Sequence, residues 1–131
     1  MTTTTTDLIG EYIACARSGD WERAFGFFAD DIRIRIPGRS GLAGEHTGRD
    51  VARDYIEQAR ALSGEHEVEV ELVDTLASDT RVALIVTERF HTADGPVEIR
   101  RCNVYRWEDD RIAEIWIFEA DQHAVDALFG A

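Results

Sequence analysis

The stretch Arg81–Glu119, RVALIVTERFHTADGPVEIRRCNVYRWEDDRIAEIWIFE, predicts three consecutive strands and decides the fold class. Branched and aromatic residues are frequent in each of its three runs, as is typical of strands. Turn residues separate the runs at Ala93–Pro96 and at Asp109–Asp110, where a tight hairpin is favoured. We therefore expect an antiparallel meander over the second half of the chain.

Two further strands are predicted upstream of this stretch. From His66 to Leu76, apolar residues alternate with glutamates, which is the pattern of a half-buried strand. Ile32–Ile36 alternates isoleucine with arginine and stops at a proline. Between these strands, Gly38–Gly48 contains four glycines and no periodicity, so we expect a long loop that borders a pocket.

Apolar residues at helical spacing predict three helices before the meander, over Asp7–Ser18, Trp21–Phe28 and Asp50–Leu62. Thr47, with an acidic residue three positions later, matches a capping box for the third helix. The tail Asp121–Phe129 is expected to form a short helical turn over the sheet. Helices followed by strands indicate the α+β class.

Length and composition favour a single domain. With 131 residues, one core is feasible, and we expect one domain over residues 1–131, with residues 1–6 a frayed leader. A net charge of −12 disfavours binding to nucleic acids and membrane surfaces. Cys15 and Cys102 form no disulfide framework or zinc motif, and no signal peptide is visible, so we expect a cytoplasmic protein.

Both faces of the meander are apolar. In the strand 81–91, the even-numbered and the odd-numbered residues are both apolar near its start. In the last strand, Ile115 and Ile117 point to one face and Trp116 and Phe118 to the other. Three helices can cover one face only. We therefore expect a homodimer through the convex face of the sheet.

Four segments resemble the nuclear transport factor 2-like superfamily, and within it the SnoaL-like group that includes polyketide cyclases. They are Ser18–Trp21, Phe28–Asp31, Gly44–Asp50 and Asp110–Trp116. The resemblance covers nearly the whole chain and implies a cone-shaped α+β barrel, with three N-terminal helices packed on a strongly curved antiparallel sheet. It also implies one internal pocket for a small organic molecule. Because this fold serves many functions, the resemblance is weakly specific for activity.

The resemblance also implies which side chains face the pocket. These residues are Tyr12, Ile36, Arg89, His91, Arg101, Asn103, Tyr105, Ile115, Ile117 and Glu119. His46 would reach the pocket from the glycine-rich loop if that loop is a lid.

Two familiar activities of this superfamily are in doubt. Ketosteroid isomerases keep a helix tyrosine, which Tyr12 resembles, but Ile36 stands where their base would be and Asn103 where their donor acid would be. Limonene epoxide hydrolases use an Asp-Arg-Asp set. Arg89 matches the arginine, whereas His91 and Ile117 replace the aspartates.

His91, Glu119 and Arg89 are the candidate catalytic residues. A histidine titrates near neutrality and a carboxylate in apolar surroundings can act as a base, while arginine can hold an oxyanion or a carboxylate of the ligand. The alternative for His91 is a structural hydrogen bond near the hairpin. The alternative for Glu119 is a buried ion pair with Arg89 or Arg101. We expect no metal and no cofactor.

The leading hypothesis is a cofactor-independent cyclase or isomerase that acts on a small apolar oxygenated molecule by acid–base chemistry. A non-catalytic binding module and an epoxide-hydrolase-like enzyme with an altered site remain alternatives. A third possibility is an assembly-related dimer with a vestigial pocket.

Overall fold

The computed structural model describes residues 3–64 and 68–130. Within these residues, four helices and six strands follow one another. In chain order they are α1 (Thr5–Arg17), α2 (Trp21–Phe25), β1 (Phe28–Ile36), β2 (Gly44–Thr47), α3 (Arg49–Ala61), β3 (Glu69–Ala77), β4 (Arg81–Thr92), β5 (Gly95–Glu108), β6 (Arg111–Glu119) and α4 (Gln122–Leu128).

The six strands form one curved, unclosed sheet in the order β2-β1-β6-β5-β4-β3. The meander β3-β4-β5-β6 is antiparallel, as predicted. The prediction of a fully antiparallel sheet was nevertheless wrong, because β1 pairs with β6 in parallel. The α+β class and the packing of helices on a curved sheet are confirmed.

Part of the predicted loop Gly38–Gly48 is a strand. β2 pairs with β1, with Ile36 opposite Gly44 and Ile34 opposite His46. The sequence GEHT has no apolar alternation, so nothing in it predicted an edge strand. The first two residues of the strand predicted at 66–76 lie outside the described residues.

Helix boundaries also differ from the predictions. α1 begins at Thr5, and Thr4 caps it through a reciprocal hydrogen bond with Asp7, so the end of the predicted leader is helical. The capping box predicted from Thr47 does not form, because α3 starts after Gly48 without a side-chain cap. The short helix predicted at the C-terminal tail is present as α4.

The concave face of the sheet carries the main core. Phe28, Ile32, Ile34 and Ile112 are almost fully buried there, packed beneath α1 and α3. A second cluster of Phe90, Ile99, Val125 and Phe129 joins α4 to the ends of β4 and β5. The described helices include none long and apolar enough to cross a membrane.

Candidate functional site

A cavity of about 570 Å³ lies between the concave face of the sheet and helices α1 and α3. Its volume is within the range of small-molecule sites. Aliphatic and aromatic side chains form most of its wall. The polar side chains on its inner wall are those of Tyr12, Tyr55, Glu88, Arg101, Asn103 and Tyr105, and Arg17, Ser18 and Arg60 line it from the C-terminal ends of α1 and α3. Apolar lining residues include Ile34, Leu84, Val86, Phe90, Ile115 and Ile117.

The register of the β4–β5 hairpin determines which residues face this cavity. Leu84 pairs with Asn103 and Val86 with Arg101. Residues directly opposite each other point to the same face of a sheet, so even-numbered residues of β4 share the concave face with odd-numbered residues of β5. The prediction that Arg89 and His91 face the pocket was therefore wrong.

Arg89 and His91 lie on the opposite face of the sheet. Arg89 is half exposed, and its Nη2 donates to Glu98 Oε2 at 3.0 Å. The Nε2 of His91 lies 3.3 Å from Glu69 Oε2, and its backbone N–H donates to Ser63 Oγ. These contacts match the structural alternative for His91, so the catalytic roles predicted for Arg89 and His91 have no geometric support.

The inner wall instead contains a buried group of three charged side chains, which we call the Glu88–Arg101–Glu119 triad. Arg101 Nε donates to Glu119 Oε1 at 3.0 Å and its Nη2 donates to Glu119 Oε2, which makes a two-point ion pair. Arg101 Nη1 lies 3.3 Å from Glu88 Oε2. With both carboxylates ionised, the triad carries one net negative charge.

The two carboxylates of the triad differ in access. The Glu119 side chain has no exposed surface, whereas that of Glu88 is 16% exposed and lines the cavity. Burial raises the pKa of Glu88, the charge of Arg101 opposes this increase, and Glu119 adds to it. The alternative that Glu119 forms a buried ion pair matches the geometry, and its prediction as the pocket base does not.

Sequence reasoning missed Glu88 because it assigned the wrong parity to β4. The signal was present in the hairpin. Thr92 pairs with Gly95 across a two-residue loop, which fixes every later pair along β4 and β5. From that loop, Arg101 must share a face with Val86 and its neighbours Leu84 and Glu88.

Three tyrosines surround the Glu88 carboxylate. Tyr55 forms a hydrogen bond with Arg101, and Asn103 forms one with Tyr105. The ring centroids of Tyr12 and Tyr105 are 5.8 Å apart. Burial raises the pKa of all three phenols, so they stay protonated and can donate hydrogen bonds.

The remaining predicted pocket residues divide into two groups. Tyr12, Arg101, Asn103, Tyr105, Ile115 and Ile117 line the cavity as predicted. Ile36 is buried in the core without lining it. His46 does not line the cavity either. It stacks on Tyr55, with ring centroids 6.3 Å apart, and its Nε2 contacts the Leu42 carbonyl oxygen.

Asp121 caps α4, because its Oδ1 accepts a hydrogen bond from the backbone N–H of Ala124. Within residues 3–64 and 68–130, no group of three or more His, Cys, Asp or Glu side chains is arranged to hold a metal ion.

Most of the chain is matched by a known sequence family. The sequence model of the SnoaL-like domain matches residues 9–115. The chain belongs to the SnoaL-like family. No curated protein matches the chain in sequence.

Solved structures with the same fold include proteins of unknown function. A protein with a cystatin-like fold from Xanthomonas campestris has 24% identity and a TM-score of 0.88, over 98% of this chain and 100% of its own. A nuclear transport factor 2-like protein from Burkholderia xenovorans has 20% identity and a TM-score of 0.76, over 99% and 100% of the two chains. TerC, co-crystallised with polyporic acid, has 15% identity and a TM-score of 0.76, over 96% and 98%. These similarities show the fold alone.

Proposed function

We propose that this SnoaL-like protein binds a small, largely apolar, oxygenated molecule in its internal cavity and transfers a proton on it without a cofactor. Cyclisation or isomerisation through an enolate is the reaction class. The observation that carries the proposal is the position of Glu88, the one acidic side chain among the described residues that line the cavity. Its raised pKa brings the carboxyl closer to the pH at which a general base works well.

The phenols of Tyr12 and Tyr105 suit the other half of the reaction. When the Glu88 carboxylate removes a proton from the carbon next to a carbonyl, negative charge develops on the carbonyl oxygen. Protonated phenols donate hydrogen bonds to such an oxygen in surroundings that exclude water. In isomerisation, Glu88 returns the proton to another carbon; in cyclisation, the enolate carbon attacks a second carbonyl, whose oxygen takes the proton.

A deuterium-exchange assay tests this proposal without knowledge of the natural substrate. β-Tetralone, an apolar ketone with acidic C–H bonds, is incubated with the protein in deuterium oxide and followed by NMR. We expect wild-type protein to accelerate exchange and Glu88→Gln to reduce the rate by about 100-fold or more, as for other positioned bases. His91→Ala should leave the rate unchanged, because His91 lies on the other face of the sheet.

The alternative of a non-catalytic binding module gives a different result in the same assay. The paired charges of Glu88 and Arg101 favour this alternative, because an ion pair can also fix the shape of a purely binding site. In that case the ketone would bind, as measured by its NMR line broadening, but its deuterium exchange would match the protein-free rate. If the exchange rate with His91→Ala fell to that measured with Glu88→Gln, the result would contradict the placement of His91 outside the site and the assignment of Glu88 as its base.

We also propose that two copies associate through the convex face, and that the protein is cytoplasmic. An apolar row crosses four strands of that face, because Leu76 pairs with Ala83, Ala83 with Val104 and Val104 with Trp116. Trp116 is 43% exposed and Leu76 54% exposed. A second copy would bury this row. Free cysteines support the proposed location, since thiols persist in a reducing compartment.

A further inference from the structure

We propose that the ligand of the cavity carries a positively charged nitrogen head group, which binds the Glu88 carboxylate, on an apolar body. This inference rests on the proposed function, because it takes the cavity as the ligand site, and it adds the charge class of the substrate. A protonated amine, an amidine and an iminium ion share this chemistry.

The first argument is that Arg101 has little capacity left for an acidic ligand. An arginine has five N–H donors. In this structure two nitrogens face Glu119, the third faces Glu88, and Tyr55 takes a further hydrogen bond. The guanidinium that a carboxylate ligand would need is therefore already occupied by protein carboxylates.

The second argument is that the inner wall has an excess of acceptors. On the sheet side of the cavity, the Glu88–Arg101–Glu119 triad has two carboxylates for one guanidinium, and only Glu88 of the two carboxylates reaches the cavity. The other basic side chains that line the cavity, Arg17 and Arg60, lie on helices α1 and α3. Glu88 has one ion contact at 3.3 Å, whereas Glu119 has two, and a carboxylate offers about four lone-pair sites. The side-chain oxygen of Asn103, on the same wall, has no hydrogen-bond partner among the described residues. A ligand that donates hydrogen bonds and carries positive charge complements this wall.

The third argument concerns the aromatic rings of the wall. Tyr12, Tyr55, Tyr105 and Phe90 line the cavity, and the faces of aromatic rings attract cations. At the edge of the cavity a ring already binds a cation, because the Arg60 guanidinium lies 4.6 Å from the centre of the Trp21 ring. An apolar body with a cationic head would contact both the rings and Glu88.

A cationic substrate would also prepare Glu88 for catalysis. Burial favours the neutral form of this carboxyl, and an opposite charge nearby favours the ionised form. The ionised form is the one that accepts a proton. Binding of a positively charged nitrogen therefore favours the ionised form of Glu88.

Three planar probes with the same naphthalene body test the inference. β-Naphthamidine is a cation, β-naphthamide is neutral and β-naphthoate is an anion, while their head groups have nearly the same shape. By isothermal titration calorimetry we expect the amidine to bind wild-type protein about 10- to 100-fold more tightly than the amide, the usual gain for a charge-assisted hydrogen bond. We expect the naphthoate to bind most weakly.

Variants assign this preference to Glu88. Glu88→Gln keeps the shape of the side chain and removes its charge, so amidine and amide should bind within about twofold of each other. Glu98→Gln is the matched control, since Glu98 pairs with Arg89 on the opposite face of the sheet and should leave the preference intact. If Glu88→Gln does not fold, the pH dependence of binding to wild-type protein tests the same assignment. The affinity for the amidine should fall on acidification as Glu88 gains a proton, and the affinity for the amide should not.

Four results would overturn the inference. Equal binding of amidine and amide to wild-type protein, or tightest binding of naphthoate, would refute the cationic head group and leave the proposed cavity and its proton transfer intact. A preference for amidine that persists in Glu88→Gln would refute the assignment to Glu88. Failure of all three probes to bind, together with no exchange of β-tetralone, would contradict both this inference and the proposed function.

Discussion

Replacement of Arg101 with methionine is expected to destabilise the protein strongly and in a pH-dependent manner. The substitution removes the single positive charge between two buried carboxylates and keeps an unbranched side chain of similar reach. Removal of one partner from a buried ion pair costs about 3–5 kcal/mol of unfolding free energy. Arg101 is 5% exposed and contacts both carboxylates, so we expect a loss within this range at neutral pH.

The pH dependence of this loss has a defined sign. Without Arg101, the folded protein holds two adjacent buried carboxylates, and nothing opposes the burial and the repulsion by Glu119 that raise the pKa of Glu88 above its unfolded value. A group whose pKa is raised by folding gives stability that is lost as the pH rises through the folded pKa. The deficit of Arg101→Met relative to wild type should therefore be smaller at about pH 5 than at about pH 8.

Urea denaturation followed by circular dichroism measures this free energy at several pH values. Arg89→Met is the matched control, because Arg89 forms an ion pair with Glu98 while half exposed, and such surface pairs contribute little to the free energy of unfolding. A loss below about 1 kcal/mol for Arg101→Met, or a loss that does not change with pH, would refute the description of the triad as a buried, charge-coupled unit.

Three other substitutions test separate parts of the structure. The stability advantage of wild type over Glu88→Gln should fall as the pH rises above 4.5, because folding raises the pKa of this carboxyl. Urea midpoints of the two proteins that keep a constant difference across pH would contradict this. Trp116→Glu should convert the proposed dimer to a monomer in light scattering, and a wild-type protein that is already monomeric at micromolar concentration would exclude the dimer. Gly38→Ala should cost about 1–3 kcal/mol, because φ is +100° and an added Cβ would lie 2.2 Å from side chains of α4, whereas Gly41→Ala meets no atom within 4 Å and should be near neutral in thermal unfolding.

Much of the fold was accessible from the sequence because local signals agree with the tertiary structure. The turns at Ala93–Pro96 and Asp109–Asp110 and the helical spacing before them were sufficient for the α+β class. The four-residue strand β2 could not be predicted from the sequence. Its pairing with Ile34 and Ile36 of β1 arises from tertiary contacts rather than from its own composition. The parallel pairing of β1 with β6 likewise joins distant parts of the chain and has no local signature.

The candidate site was predicted less well because one strand had two apolar faces. Alternation around Ile85 and Val86 did not distinguish the concave from the convex face, so the family resemblance set the parity and placed Arg89 and His91 inside. The same resemblance placed Arg101 correctly, since the odd-numbered residues Arg101, Asn103 and Tyr105 of β5 line the cavity. A shift of one residue on a strand reverses every side chain, and Glu88 was therefore lost from the predicted site.

A carboxyl-carbon NMR titration of Glu88 tests the central claim most directly. The resonance is assigned by its disappearance in Glu88→Gln and is followed against pH with and without β-naphthamidine. The structure predicts a midpoint above the ordinary 4.5 in the free protein and a lower midpoint in the presence of the cation, because the ligand binds next to this carboxylate. A midpoint at the ordinary value that does not respond to the ligand would contradict the assignment of Glu88 as the acid–base group of the cavity.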